Sequence, residues 1–414
     1  MRRNSYLSYF LVAIFALAMA GCGGSSTNNN APKPTGLKKR VLLSNTNAGT
    51  VTVVDAQKDL LSTKVLGASS PTKMLTAGGI TIAMDSAGSQ IAIIDNPTEA
   101  VTFKAPIGDQ PFDIAISPDG KNAWAAMRNF GFVQSVDTTT GVARGVLRIG
   151  NARRLVMSPN GTKLLVFPDP QSQIPPNTST FFVIDTASSA VTAVTDATHL
   201  DQPVNAVFNG SETKAFILNC GAECGGTAAS VVFADFTNTP ASFSAPIPVP
   251  GATVGLINGS NLYVAGTPPQ PPPPVLGCPI TRCGVLTVIN ATALTAGAQI
   301  PITDGDHEKM AFANNRVYVG ASGCTVEPGL LANTVRGCLT IFNSSTSAIG
   351  FPTESSFRQN FDVTGLQPIS GRNIIYVVQG AELDIFDTNT DALASGITQI
   401  DVVGKAFDVV QIDP

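Results

Sequence analysis

Few residues in this chain carry the chemistry of an active site, and their spacing narrows what that chemistry is. Only two histidines occur, His199 and His307. Neither belongs to a His-Glu-x-x-His zinc motif, and no nucleophile elbow accompanies them. The densest polar run is Asp304-Gly305-Asp306-His307-Glu308. Carboxylates gathered around a Gly turn are the oxygen donors that Ca2+ takes. The run lacks the spaced Asp positions and distal Glu of an EF-hand loop, so a solvated acidic turn is the competing reading. Asp304, Asp306, His307 and Glu308 therefore stand as the candidate binding cluster. No catalytic residue is assigned, no cofactor is expected, and Ca2+ is the one metal that this run suggests.

Seven cysteines fall at 22, 220, 224, 278, 283, 324 and 338. Cys22 follows a leader in which Arg2 and Arg3 precede the apolar stretch Tyr6–Met19. The stretch ends in the small residues Ala18-Met19-Ala20-Gly21, the order of an export signal that is removed from the mature protein. The placement of Cys22 directly after them resembles a bacterial lipobox. That resemblance implies cleavage after residue 21 and acylation of Cys22, and two or more chains anchor a protein stably. An ordinary signal peptide cut near Ala20 is the alternative. Residues 22–39 are then a lipidated Cys and a Gly, Ser, Asn and Pro tether. Gly23 is not the Asp of the inner-membrane retention signal, so the resemblance points to the outer membrane, facing the periplasm or the surface.

Six cysteines remain, an even number in an exported chain, which reads as three disulfides. Six allow fifteen pairings. Their grouping along the chain favours Cys220–Cys224, Cys278–Cys283 and Cys324–Cys338. The spacings match neither a zinc site nor a Cys-x-x-Cys-His haem attachment.

These residues must be positioned by strands. Charged residues make up only 13% of the chain, apolar residues 43%, with 38 Gly and 29 Pro, a strand-and-turn composition. No apolar run after the leader is long enough to span a membrane. Loss of Arg2 and Arg3 takes the formal charge from −4 to −6, the wrong sign for a nucleic-acid partner.

Short apolar runs ending in Asp or Asn recur, closing at Asp55, Asp95, Asp137, Asp185, Asp235, Asn290, Asn343 and Asp387. The intervals are 40, 42, 48, 50, 55, 53 and 44 residues. A terminal Asp or Asn can accept a hydrogen bond from the backbone two residues on and close a tight turn. Another short strand precedes each run, from Val41-Leu42-Leu43 to Ile375-Tyr376-Val377. A third signal lies between units, as in Gln110-Pro111-Phe112-Asp113-Ile114-Ala115-Ile116-Ser117-Pro118-Asp119-Gly120. A fourth strand follows the Asp. Four strands at a period of roughly 40–50 residues predict propeller blades. The pattern over residues 40–165 resembles the YVTN-type β-propeller repeat and degenerates afterwards. The resemblance implies a fold and says little of an activity.

With strands lettered A to D outward from the axis, the domain over residues 40–414 starts at a B strand. It ends on a lone A strand, Ala406–Val410, that pairs with it and closes the ring. Both counts give eight four-stranded blades, and an insertion within 261–372 would make seven. The longer units place their extra residues between strands B and C of blades 4 to 7, on one face, with all three cysteine pairs. Loops carry function on rigid scaffolds, so this face is the expected contact for an unknown protein, glycan or small ligand. The preferred reading is an envelope-anchored binding or scaffold module. The alternatives are a lactonase- or lyase-like enzyme with a site at the channel mouth, and a surface adhesion or structural module. Arg153-Arg154 reads as a small solvated basic spot, Pro271–Pro274 as a stiff spacer, and Trp124 as core.

Overall fold

A computed structural model describes residues 33–413 apart from 109, 128, 171–178, 239, 270–277, 279–282, 331–334 and 353–361. It is an eight-bladed β-propeller of four-stranded antiparallel sheets. Blade 1 is composite. Ala406–Gln411 is its A strand, and Arg40–Asn45, Thr50–Asp55 and Leu60–Gly67 are B, C and D. Blade 2 follows as Pro71–Ala77, Ile80–Asp85, Gln90–Asp95 and Ala100–Pro106. The remaining blades occupy 113–148, 152–195, 203–248, 254–302, 306–350 and 363–400. The stretch 261–372, weighed above as holding an insertion, forms blades like the others. In blades 5 and 8 the D strand is split into two short pieces.

Burial explains why the B strands read as continuous apolar runs. Each is sandwiched between neighbouring blades, so both of its faces are core. Val41–Asn45 and Leu164–Pro168 are buried at every residue. The D strands are the outer rim, where Val65 and Val142 are 53% and 57% exposed. Eight apolar clusters form, and each joins one pair of adjacent blades. The cluster between blades 8 and 1 takes Val41 and Leu43 from the chain's start and Ala406 and Val409 from its end. Closing the ring thus buries apolar surface and removes open sheet edges together.

The recurrent Asp or Asn at the end of strand C does what its chemistry allows. In blade 1 the Asp55 carboxylate accepts the Gln57 N–H at 3.0 Å, and in blade 8 Asp387 accepts that of Asn389 at 2.7 Å. Asp137, Asp235, Asn290 and Asn343 do the same two residues on, while Asp95 and Asp185 reach three on. The residue four after the Asp or Asn has positive φ in all seven blades where it is described: Asp59, Glu99, Gly141, Ser189, Leu294, Ser347 and Asp391. Three of these seven are acidic, and each holds an arginine of the preceding blade. Arg372 grips Asp59, Arg40 grips Glu99 at 3.1 Å, and Arg316 grips Asp391 at 2.8 Å. These clasps join blades 8 to 1, 1 to 2 and 7 to 8, the arc where the ring closes. Thr35 adds its N–H and hydroxyl to Glu99 at 2.7 and 2.6 Å, so residue 35, assigned by composition to the tether, is fixed on blade 2.

Candidate functional site

The A strands line the central channel, and six of them begin with a break in register against their B strand. The breaks lie at Pro71/Lys73, Ala152/Arg154, Pro203/Asn205, His307/Lys309 and Val363/Gly365, and in blade 1 between Ala406 and Val409. Such a bulge interrupts the strict alternation of side chains. Consecutive residues such as Arg153 and Arg154, or Glu308 and Lys309, therefore both line the cavity at the channel mouth. That cavity measures about 1090 Å3 and takes lining residues from seven blades. It opens on the face that carries the B–C and D–A loops, and so on the face of the three disulfides.

Around the channel the A strands are tied to one another by polar groups. Asp408 of blade 1 accepts the Met74 N–H of blade 2 at 2.7 Å, and Asp113 of blade 3 accepts the Leu155 N–H of blade 4 at 2.8 Å. Asn205 of blade 5 donates to the Thr253 carbonyl at 3.1 Å, and the Thr253 hydroxyl to the His307 carbonyl at 3.0 Å. Lys73 pairs with Asp113, and Lys309 lies 3.4 Å from Asp408. Burial pushes the Asp113 carboxyl up, but Lys73, Arg154 and the Leu155 N–H outweigh it and hold the group below its ordinary value. Two aromatic rings sit beside cations at the rim: Arg153 lies 5.2 Å from the centre of Phe112 and Lys405 5.8 Å from that of Phe407.

The four residues of the acidic run part company here. Asp304 stays in the D–A loop, while Asp306, His307 and Glu308 open the A strand of blade 7. Asp304 is 7% exposed, and its carboxylate accepts the Thr325 and Val326 N–H groups at 2.6 and 2.7 Å. It pins the loop that Cys324–Cys338 crosslinks. Gly305 permits the turn, with φ of +101° and the Ser322 carbonyl 2.4 Å from where a Cβ would stand. His307 is enclosed, its Nε2 3.0 Å from the Thr303 carbonyl. Burial lowers its pKa to about 4, against the pull of that carbonyl and of Asp304. Asp306 and Glu308 alone face the cavity. Among the described residues no three His, Cys, Asp or Glu side chains converge as a metal-binding group. His199 lies elsewhere, its Nδ1 2.8 Å from Asp196, beside a cavity of about 430 Å3 at blades 4 and 5.

All three local disulfides form, Cys220–Cys224, Cys278–Cys283 and Cys324–Cys338, each in a B–C loop. Cys22 and Pro271–Pro274 lie outside the described residues. Trp124 is core, at 5% exposure. Arg153-Arg154 is the notable departure from the sequence reading, since both residues line the mouth rather than a free surface. The repeated Phe-Asp pairs, Phe112-Asp113 and Phe407-Asp408, were the available signal for the polar ring.

No protein-family profile matches the sequence, and no curated protein is similar to it. Solved structures are similar in fold. The dihydro-heme d1 dehydrogenase NirN, in complex with DHE, superposes with a TM-score of 0.67 at 10% identity, over 92% of this chain and 78% of that one. AztD of Citrobacter koseri gives 0.56 at 10% identity, over 90% and 97%. Hydrazine synthase of Kuenenia stuttgartiensis gives 0.54 at 14%, over 78% and 96%. At such identities the likeness is one of fold, a β-propeller, and does not reach to activity.

Proposed function

We propose that this chain is an envelope-anchored lipoprotein of the YVTN-type propeller class that binds rather than catalyses, through the face on which the channel mouth opens. The carrying observation is the cavity of about 1090 Å3 at that mouth, whose lining includes the paired Lys73, Asp113 and Lys309 and which lies on the disulfide-bearing face. Concave sites with a few convergent polar groups are where ligands bind. Three disulfides fit an oxidising, extracytoplasmic setting. The enclosed, neutral His307 favours binding over the histidine-dependent chemistry of a lactonase- or lyase-like site. Membrane contact comes through acylated Cys22, and the longer B–C loops of blades 4 to 7 frame the partner.

Intact mass of the membrane-extracted protein tests the anchor. A chain that starts at acylated Cys22 and gains six hydrogens on reduction is expected. A ligand screen by thermal shift tests the mouth. A hit is expected to lose its shift in Phe112→Ala, and a hit indifferent to every mouth substitution would place recognition elsewhere.

A further inference from the structure

Arg153 and Arg154 are consecutive, yet the bulge at Ala152/Arg154 brings both to the cavity. Their partners are unlike those of Lys73 and Lys309, two other cations there. Lys73 and Lys309 are engaged by Asp113 and Asp408, whose side chains are only 4% and 6% exposed. Arg153 reaches Asp169 at 3.4 Å with one nitrogen and spreads over Phe112, which remains 41% exposed. From across the mouth, blade 7 extends Glu308 toward both guanidinium groups. One carboxylate oxygen lies 4.0 Å from Arg153 and 3.8 Å from Arg154. Those distances exceed hydrogen-bond range, and the Glu308 side chain is 47% exposed. A guanidinium pair is the geometry that takes carboxylate or phosphate through charge-assisted, two-pronged hydrogen bonds. Glu308 stands in that position without making them.

Resting on the reading of the mouth as the recognition site, we propose that it binds a small organic anion whose carboxylate or phosphate is gripped by Arg153 and Arg154. The apolar part of the ligand lies against the exposed edge of the Phe112 and Arg153 pair. Glu308 is a built-in competitor that the ligand displaces. An exposed ion pair at this separation contributes little, so displacement is easy. The same carboxylate turns away ligands without an anionic group, because they leave the two arginines paired as before.

Calorimetric titration of the full-length, membrane-extracted protein tests this with four probes of similar size: benzoate, phenyl phosphate, benzyl alcohol and benzylammonium. The anions are expected to bind and the other two are not, with the affinity falling as salt rises. The stronger of benzoate and phenyl phosphate tells which group the arginines prefer. Arg153→Gln with Arg154→Gln is expected to weaken the anions about tenfold or more. Glu308→Gln is expected to tighten them about threefold to fivefold, a gain that misfolding cannot produce. Lys121→Gln, on the opposite face, is expected to change nothing. Failure of both anions to bind at tens of millimolar overturns the proposal, as does binding unaffected by the double substitution. If benzyl alcohol binds and needs Phe112 but neither arginine, the mouth remains a site and the anion inference falls.

Discussion

His307 shows how a residue chosen from sequence for its chemistry can be taken by the fold for another purpose. Its enclosure beneath Thr303 and Thr267 keeps the ring neutral in the folded chain down to about pH 4. The unfolded chain takes up that proton near pH 6.5. Protons therefore favour unfolding, and stability is lost as pH falls from about 6.5 to about 4, levelling off below. The shift corresponds to about 3 kcal/mol across that window. Urea unfolding at steps between pH 7 and 4 is expected to show the slope, and His307→Gln to flatten it. An unchanged slope in the variant would assign the loss to other groups. The positive-φ turn position offers a second contrast. Gly141 suits it, and a Cβ there would come within 2.6 Å of Phe103. Gly141→Ala is expected to cost more than about 1 kcal/mol, from left-handed strain and crowding together. Ser347 has φ of +57° and is exposed. Ser347→Gly relieves the strain at some cost in unfolded-chain entropy, leaving stability within about 1 kcal/mol of wild type. Melting of the two variants side by side checks the pair.

Why some turns keep an acid in a conformation that suits glycine is answered between elements. Glu99 is buried and receives Arg40, which also holds Asp413 at 2.7 Å. One arginine thus joins the first strand, the chain's end and blade 2. Glu99→Gln keeps the shape and removes the charge, and is expected to lower stability by about 1–3 kcal/mol in chemical unfolding. A loss no larger than that of Ser347→Gly would mean that the clasp is ornamental. The strand pattern was legible because sandwiched B strands must be apolar on both faces, and because the Asp or Asn after strand C closes a turn through its own side chain. The clasps were not, because Arg40 and Glu99 are 59 residues apart and only the ring brings them together. The site was hidden for a related reason. A bulge alters which way two neighbours point, and nothing in Ala152-Arg153-Arg154 announces one.

At the scale of the molecule, the ring is held by a strand that comes last in the chain and pairs first in space. Val41 faces Gln411, and Leu43 faces Val409, so blade 1 is built from both ends. Asp408 of that last strand accepts the Met74 N–H and meets Lys309, tying the closure to the lining of the channel mouth. Removal of residues 406–414 would expose the apolar surfaces between blades 8 and 1, leave the Arg40–Asn45 strand with an open edge, and take a wall from the candidate site. Such a truncated chain is expected to associate on size-exclusion chromatography and to lose a single cooperative unfolding transition. The loss should come from the missing strand and not from chain length alone. A permuted chain separates the two. Joining Asp413 to Arg40 through a short Asn-Gly turn, with new termini between Ser69 and Ser70, makes blade 1 continuous while keeping every strand. Its ends would lie in a D–A loop on the mouth face. It is expected to unfold cooperatively at a denaturant midpoint at or above that of the unpermuted chain, because closure no longer orders two distant ends. If the truncated chain instead unfolds at the unpermuted midpoint, the closing strand contributes nothing to holding the ring, and the groups that Asp408 ties must be held by the other blades.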